Sequence, residues 1–341
     1  MANDYWQKRY ERILDEAFQK ATLTDEEIKK QYARALRRIE KAINDWYRRF
    51  ANENGITLQE ARKLLDKYEM KAFKMDLKEF EKEAKQLGMS KEHQQMLSNA
   101  SIRERLSREQ MLYINMVHEI EVMAHSQNVS VKDMLDDVYR SSVYKSAYTA
   151  QTQRGSYSMI NSIDGKRVDS VINSQWANDG QDFSSRIWND KVKLVANLQN
   201  DFTQALMIGQ GADTMADNLS KRMKTSYSNA KRLVETEMAR VYEQGFLDSM
   251  AELDVDKLEI LATLDSHTSP ICRRMDRKIV RRVDAKPGVT VPPFHCYCRS
   301  TTIPYIEGLD GETRTGRNKD DKSTDYDGAI SYEEWEKQYI S

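Results

Sequence analysis

The sequence of 341 residues is poor in the residues that interrupt regular structure, with 13 glycines and five prolines. It also lacks any apolar run of about 18 residues, so we expect no membrane-spanning helix. The N-terminal residues are charged from the start and contain no apolar core of a signal peptide, so we expect no secretory signal. An excess of one charge is missing too, because 53 basic residues stand against 54 acidic ones. This balance excludes a uniformly basic nucleic-acid coat and an acidic solvating tail as descriptions of the whole chain.

Cysteine is equally scarce, and all three cysteines lie between positions 272 and 298. An odd number of cysteines argues against a disulfide framework and indicates folding in the cytosol. Common nucleotide-binding and catalytic motifs are absent as well: the sequence contains no Walker A loop, G-x-G-x-x-G, H-E-x-x-H or G-x-S-x-G.

Helix-forming residues are abundant, which favours long helices over a many-stranded sandwich. The first helix is predicted to begin at Thr24, which forms a capping-box pattern with Glu27. From Ile28 to Phe50 apolar residues then recur at steps of three and four, which predicts one narrow apolar stripe along the helix. Such a stripe on a long helix is suited to packing against other subunits.

Two further helix starts are predicted from capping patterns. Thr57 with Glu60 opens a helix that ends before Gly88, and Ser130 caps a separate helix. The first 95 residues are therefore interpreted as a helical arm or hairpin.

After about residue 255 the pattern changes to short apolar runs that are separated by proline and glycine. The runs 258–264, 278–283 and 300–305 are predicted to be strands. The predicted fold class is mainly α, with a long helical N-terminal arm or hairpin and a small C-terminal α+β domain. The predicted domains are a helical arm or hairpin (1–95), a helical domain (96–254), a small α+β domain (255–307) and a polar, flexible tail (308–341) in which residues 331–340 form a short helix.

One cluster of residues stands out as a candidate metal site. All three cysteines and two of the five histidines lie within residues 265–298, and thiolate and imidazole are the ligands that zinc prefers. The best ligand set is Cys272, His295 and Cys298, with Cys296, His267 or Asp265 as the fourth ligand. We expect one structural zinc as the only cofactor.

The spacing of this cluster leaves alternatives open. No C-x2-C pair is present, because Ser269 stands where a cysteine would pair with Cys272. If residues 295–298 were extended, His295 would point away from Cys296 and Cys298. The alternative interpretation is that these are small buried side chains, with His295 hydrogen-bonded in a loop.

A catalytic interpretation of the same residues is also available. Cys272 would be the nucleophile and His267 or His295 the base, with Asp265 orienting the imidazole. No glycine-rich turn that resembles an oxyanion hole lies nearby, and three thiols together are typical of ligation. We therefore expect no enzyme activity. The remaining histidines, His93, His118 and His125, lie in predicted helices without partners and are interpreted as ordinary surface or core residues.

A basic run is the second candidate site. Its cations are Arg273, Arg274, Arg277, Lys278, Arg281 and Arg282. They are suited to contacts with DNA phosphates or with an acidic protein groove, and the alternative is the solvated face of a hairpin. Glu235 and Glu237 lie on a predicted helix close to Arg240, so ion pairs are expected there rather than general acid or base groups.

Two motifs carry a resemblance to a known family. The segments 264–276 (LDSHTSPICRRMD) and 292–304 (PPFHCYCRSTTIP) resemble the C-terminal domain of tailed-phage minor head proteins, the Mu F-like, SPP1 gp7-like head morphogenesis family. Segments upstream are similar as well, so that the resemblance covers about residues 170–305. Ser269 interrupts the family's C-x2-C pair and Cys296 adds a thiol. The positions that match the family pattern are Asp265, Cys272, His295, Cys298 and Arg299.

The resemblance implies a structural minor head protein of a tailed phage. Such a protein binds near the portal, assembles with the major capsid and scaffolding proteins, and takes part in DNA packaging or delivery. It is located inside the phage head, and in the host cytoplasm during assembly. The alternative functions are a metal-dependent hydrolase or nuclease, or a DNA-binding accessory protein, centred on the C-terminal Cys/His and Arg-rich region.

Overall fold

The computed structural model describes residues 2–50, 58–155, 157–177, 179–305, 313–317 and 323–327. In chain order the helices of these residues are α1 (Ala2–Phe50), α2 (Leu58–Arg62), α3 (Lys67–Gln86), α4 (Lys91–Ile102), α5 (Arg108–Arg154), α6 (Gly165–Ile172), α7 (Phe183–Met207), α8 (Ala212–Glu252) and α9 (Pro270–Met275). The strands are β1 (Lys257–Leu261), β2 (Ile279–Arg281), β3 (Thr301–Pro304), β4 (Thr313–Arg317) and β5 (Ser323–Asp327). The structure is 73% helical, which confirms the predicted fold class.

Helix α1 begins well before the predicted start at Thr24, so that prediction is wrong. The preceding residues contain no glycine or proline and bury side chains at helical spacing, such as Tyr10, Ile13 and Ala17. A cap contributes only about 1 kcal/mol. The capping pattern at Thr24 therefore does not set the start of the helix, because the apolar stripe continues on both sides of it.

The apolar stripe of α1 is confirmed, but it packs within its own chain. Ile28 and Ile43 are completely buried. The Trp46 indole Nε1 donates a hydrogen bond to the backbone oxygen of Arg108 over 3.1 Å. The predicted use of this stripe for packing against other subunits is therefore wrong for these residues.

The helix predicted between residues 57 and 88 is two helices, α2 and α3. The capping box that starts α3 is Asp66 with Glu69, because Asp66 Oδ1 accepts from the backbone N of Glu69 (2.9 Å) and Glu69 Oε2 accepts from that of Asp66 (2.8 Å). Thr57 lies outside the described residues. Ser130 is not a cap either: it lies inside α5, where its Oγ accepts from Gln31 Nε2 over 3.0 Å.

The chain divides into two compact units. Unit 1 comprises residues 1–24, 131–183 and 232–341, and unit 2 comprises residues 25–130 and 184–231. Helices α1, α5 and α8 contribute residues to both units. The predicted domains do not coincide with this division and stay predictions.

The sheet that lies next to the predicted metal site belongs to unit 1. Strand β1 pairs antiparallel with β2 on one side and with β3 on the other. Strands β2 and β3 fall within the runs that were predicted to be strands, and β1 overlaps its predicted run but begins one residue earlier, at Lys257. Strands β4 and β5 pair with each other inside the predicted polar tail. The predicted helix at 331–340 lies outside the described residues, and the flexibility of the tail stays a prediction.

A buried ion pair connects α8 to the end of α6 in unit 1. Arg240 Nε donates to Glu237 Oε2 over 2.9 Å, and both side chains are 2% exposed. The Arg240 guanidinium also donates to the backbone oxygens of Val171 (3.0 Å) and Ile172 (3.2 Å), while Trp176 Nε1 donates to Glu237 Oε1 (3.0 Å). The expected ion pairing of Glu237 is therefore confirmed.

Two more residues of α8 fix its neighbours in unit 1. A Cβ atom added at Gly245 would lie 2.9 Å from both the Cβ of Ser142 and the backbone oxygen of Tyr139, so α5 and α8 approach closely there. Glu243 is fully buried and accepts a hydrogen bond from Thr302 Oγ1 of β3 over 2.5 Å. Burial raises the pKa of Glu243 to about 8, so the carboxyl group is mostly neutral at pH 7.

Length and hydropathy together decide whether a helix suits a membrane. Among the described residues, none of the helices is both long and apolar enough to span one.

Candidate metal centre

Two segments of unit 1 carry the three predicted ligands. Cys272 lies on α9, whose start is fixed by Ser269: the Ser269 Oγ accepts from the backbone N of Cys272 over 3.3 Å, and Pro270 follows in the first turn. A capping serine followed by proline is a favourable helix start. His295 and Cys298 lie in the loop that precedes β3.

The loop at 295–298 is a turn rather than an extended segment. Tyr297 has φ = 62°, in the left-handed region, and this reverses the chain between His295 and Cys298. The extended geometry that we considered would have separated these two side chains. The turn instead directs both of them inward, and it leaves Cys296 exposed to solvent.

The three predicted ligands converge in the structure. Cys272 Sγ lies 3.1 Å from His295 Nε2 and 3.6 Å from Cys298 Sγ, and the three ligand atoms all lie within 4.8 Å of one another. Both cysteines are buried and His295 is half-buried. The cysteines also pack against Ala262, Ile271 and Phe294, which agrees with the alternative that they are packing residues.

The orientation of the His295 ring is fixed by the backbone. Its Nδ1 lies 2.7 Å from the backbone oxygen of Cys296. Because a carbonyl oxygen can only accept, the ring proton lies on Nδ1, and the lone pair of the neutral ring lies on Nε2. This lone pair is directed toward Cys272 Sγ and toward Ser269 Oγ, which is 2.8 Å away.

The pKa values of the two buried thiols are shifted in opposite directions. The pKa of Cys298 is lowered to about 6, because the Cys272 thiol and the backbone amides of Phe294 and Ser300 donate hydrogen bonds to its sulfur. The pKa of Cys272 is raised, because its thiol donates to Cys298 and is buried. Cys272 is thus a poor thiolate at neutral pH, which weakens its proposed role as a nucleophile.

The candidates for a fourth ligand are not part of this group. Cys296 and His267 are exposed. Asp265 forms a two-point ion pair with Arg299, whose guanidinium nitrogens lie 2.5 and 2.8 Å from its carboxylate oxygens. Burial alone would raise the pKa of Asp265, but the hydrogen bonds and charge of Arg299, with a hydrogen bond from Thr268, hold it below the usual value. Asp265 therefore positions the segment that carries Arg299.

The residues of the basic run do not form one free cationic surface. Arg273 Nε donates to the backbone oxygen of Thr268, Arg277 pairs with Glu259, Arg281 pairs with Asp284, and Arg282 Nε donates to the backbone oxygen of Val255. Lys278 Nζ lies 3.7 Å from Met275 Sδ, and Arg274 is exposed. Four of the six cations thus have partners within their own domain, and the prediction of a DNA contact rests mainly on Arg274 and Lys278.

Sequence reasoning missed a buried histidine pair in unit 2. His118 Nε2 lies 3.1 Å from Glu83 Oε2, and His118 Nδ1 lies 3.1 Å from His93 Nε2. The expectation that these histidines lack partners is therefore wrong. Burial lowers the pKa of both residues, that of His93 to about 4. The pair joins positions 25 residues apart on α4 and α5, and no local pattern shows this.

Comparisons with known proteins match the part of the chain that contains Cys272, His295 and Cys298. Residues 196–303 match the family model described as phage Mu protein F like protein. The chain is 32% identical over 163 residues to the minor head protein GP7 of Bacillus phage SPP1, a match that covers 43% of this chain and 52% of that relative. It is 28% identical over 172 residues to the NAD(+)--arginine ADP-ribosyltransferase EFV of Enterococcus faecalis (strain ATCC 700802 / V583), which covers 46% of this chain and 34% of that relative.

The chain thus spans about half the length of the first relative and about a third of the second. No solved structure is significantly similar to it. The family segment contains β1, α9, β2, the turn at 295–298 and most of β3, so it includes all three converging side chains. The predicted resemblance is therefore confirmed: residues 196–303 of this chain are similar to the phage Mu F-like proteins, and the chain is similar to a phage minor head protein.

Proposed function

We propose that this protein is a structural minor component of a tailed-phage head. It binds near the portal, contacts the major capsid and scaffolding proteins during assembly, and stays inside the virion. The observation that carries the proposal is that the family segment, residues 196–303, comprises the end of α7, all of α8 and the small α+β region that contains the three converging side chains. The minor head protein of phage SPP1, at 32% identity, supports the same role.

The test is quantitative mass spectrometry of purified virions from the phage or induced prophage that encodes this chain. We expect the protein in DNA-filled particles at a small fraction of the copy number of the major capsid protein. Deletion of its coding sequence should lower the yield of infective particles, and expression of the full chain in trans should restore it. Absence of the protein from virions would refute the proposal.

The portal contact needs a separate measurement. The full chain and the portal protein of the same phage are mixed and analysed by size-exclusion chromatography with light scattering, and the major capsid protein serves as the comparison. We expect a complex with the portal oligomer. If only the capsid protein binds, the location near the portal is wrong while the role in the head stands.

We propose no enzymatic activity for this chain. Transfer of ADP-ribose to arginine is named for one relative, of which the match covers 34%. Incubation of the purified chain with labelled NAD+ and an arginine-containing acceptor should leave both unmodified. Labelling above that of a heat-inactivated sample would overturn this part of the proposal.

The DNA-binding alternative predicts an affinity for duplex DNA that falls steeply with salt. Replacement of Arg274 and Lys278 with glutamine removes two cations without breaking the ion pairs of Arg277 and Arg281. If DNA binds through this run, the double variant should bind more weakly and show a shallower salt dependence. An unchanged affinity would assign the run to the stability of its own domain.

A further inference from the structure

Three side chains that can bind zinc meet beside α9. The ligand atoms of Cys272, His295 and Cys298 all lie within 4.8 Å of one another. Ser269 lies next to them, and its Oγ is 2.8 Å from His295 Nε2. A hydroxyl stands there instead of the thiol or imidazole that would close a structural zinc site.

The spacing of the three ligand atoms fits a zinc ion. A tetrahedral zinc, with Zn–S bonds of about 2.3 Å and Zn–N bonds of about 2.0–2.1 Å, separates two sulfurs by about 3.8 Å and a sulfur and a nitrogen by about 3.6 Å. The structure has 3.6 Å between the sulfurs of Cys272 and Cys298, and 3.1 Å between Cys272 Sγ and His295 Nε2. The third separation, between Cys298 Sγ and the His295 ring nitrogen, is at most 4.8 Å, so these side chains bind the ion after shifts of up to about 1 Å.

The outer contacts of the ligands point to a metal independently of this spacing. A histidine that binds zinc usually donates its other ring N–H to a carbonyl or carboxylate, which fixes the ring. His295 does so through Nδ1 to the backbone oxygen of Cys296. The Cys298 sulfur accepts hydrogen bonds from the backbone amides of Phe294 and Ser300, and these contacts fix its position beside Cys272.

A small cavity beside Ser269, Cys272 and His295 has room for a water molecule. A cavity of about 20 Å³ is lined by Ser269, Cys272, His295 and neighbouring polar side chains, among them Thr268 and Ser300. A cavity needs roughly 10–15 Å³ of this kind of volume to hold one water. None of the protein groups considered as closing ligands belongs to the converging group. Asp265 pairs with Arg299, Cys296 is exposed, and His267, which is also exposed, lines this cavity without joining the three ligands.

We propose that Cys272, His295 and Cys298 bind one Zn²⁺ whose fourth ligand is an exchangeable water, held beside the Ser269 hydroxyl. The ion joins α9 to the turn before β3, so it connects both ends of the small α+β region. Because one coordination position is held by water, small ligands such as imidazole or azide can enter it. This inference concerns the ion alone and does not rest on the proposed role in the phage head.

The experiment uses the full chain without an affinity tag, so that no added histidines bind metal. The protein is stripped with a chelator under reducing conditions, dialysed and titrated with Co²⁺, which replaces zinc and reports its ligands by absorption. We expect one Co²⁺ per chain, a tetrahedral visible spectrum and a charge-transfer band from two thiolates. Added imidazole should shift the visible bands, and Zn²⁺ should displace the Co²⁺.

Variants identify each ligand. Cys296→Ser is the matched control, because it removes an exposed thiol next to the site, and it should leave the Co²⁺ spectrum unchanged. Cys298→Ser should remove half of the thiolate band and weaken Zn²⁺ binding at least 100-fold. Ser269→Ala should keep both thiolates and the response to imidazole. Ser269→Cys should add a third thiolate, abolish that response and tighten Zn²⁺ binding at least tenfold.

Several results would overturn the proposal. One is a wild-type protein that binds neither Co²⁺ nor Zn²⁺ while circular dichroism shows it to be folded. Another concerns a disulfide between Cys272 and Cys298. If mild oxidation of the metal-free protein leaves one free thiol per chain, and added Zn²⁺ does not prevent this loss of two thiols, the two cysteines form a disulfide instead of binding the ion. A spectrum with three thiolates that loses one in Cys296→Ser would show that Cys296, not water, is the fourth ligand.

Discussion

The buried pair of Glu237 and Arg240 allows a prediction about the stability of unit 1. Arg240→Met keeps most of the side-chain volume but leaves the Glu237 carboxylate buried at 2% exposure, with only Trp176 Nε1 still donating to it. Removal of one partner of a buried ion pair costs about 3–5 kcal/mol, because the remaining charge is left uncompensated. The backbone oxygens of Val171 and Ile172 lose a donor as well, which places the expected cost in the upper part of this range.

The matched control is Arg222→Met in unit 2. Arg222 also makes two hydrogen bonds to one carboxylate, that of Asp201 (2.7 and 2.9 Å), but its side chain is 44% exposed. Exposed pairs contribute at most about 1 kcal/mol, because water solvates each charge when the other is removed. The assay is urea-induced unfolding followed by far-UV circular dichroism, with the midpoint and the slope compared between variants.

A second variant separates charge from packing. Glu237→Gln in the Arg240→Met background keeps an oxygen for Trp176 but removes the buried charge. We therefore expect the double variant to be more stable than Arg240→Met alone. The reasoning is refuted if Arg240→Met costs no more than Arg222→Met, or if the added Glu237→Gln restores nothing.

Three other predictions concern pH and close packing. The pKa of His93 is about 4 in the folded chain and 6.5 when exposed. The free energy of unfolding should therefore fall as pH drops from 6.5 to 4, by at most about 1.4 kcal/mol per pH unit. In His93→Gln the midpoint of urea unfolding should change less with pH across that range. Glu243, with a pKa raised from 4.5 to about 8, has the opposite sign: its contribution should be lost as pH rises from 4.5 to 8, and Glu243→Gln should be relatively more stable at pH 8 than at pH 5. These assignments are contradicted if the urea midpoint of either variant depends on pH more steeply than that of the wild type over the same pH range. Gly245→Ala should lower the free energy of unfolding by about 1–3 kcal/mol, because the added Cβ lies 2.9 Å from backbone and side-chain atoms of α5. Gly165→Ala is the control: its added Cβ has no atom within 4 Å, so this variant should not lower the melting temperature.

Patterns within one element were enough to predict much of this fold. The stripe from Ile28 to Phe50 predicted α1 because burial on one helix face repeats every three or four residues. Short apolar runs bounded by proline and glycine predicted β1, β2 and β3. The helix boundaries failed at Thr24 and Ser130, because a capping signal of about 1 kcal/mol is weaker than burial on both sides of it.

The candidate site was predicted in its composition but not in its geometry. Thiols and imidazoles close in sequence identified Cys272, His295 and Cys298. The turn that brings His295 and Cys298 together depends on the positive φ of Tyr297, and tyrosine gives no sign of this conformation. The partners of His93 lie on other helices, so only the folded chain reveals them.

The division of the chain between the two units has a consequence for synthesis on the ribosome. Unit 2 is complete once residue 231 has emerged, whereas unit 1 joins the first 24 residues to strand β3 at Thr301–Pro304. At roughly 5–20 residues per second, the stretch of about 70 residues between position 231 and the end of β3 takes about 4–15 s to be made. At the start of that interval the partners of Tyr10 on α8, Tyr242 and Phe246, are not yet translated, and the strands of unit 1 follow later still. A chaperone or an assembly partner that binds this nascent chain would therefore meet unit 1 unfinished beside a finished unit 2.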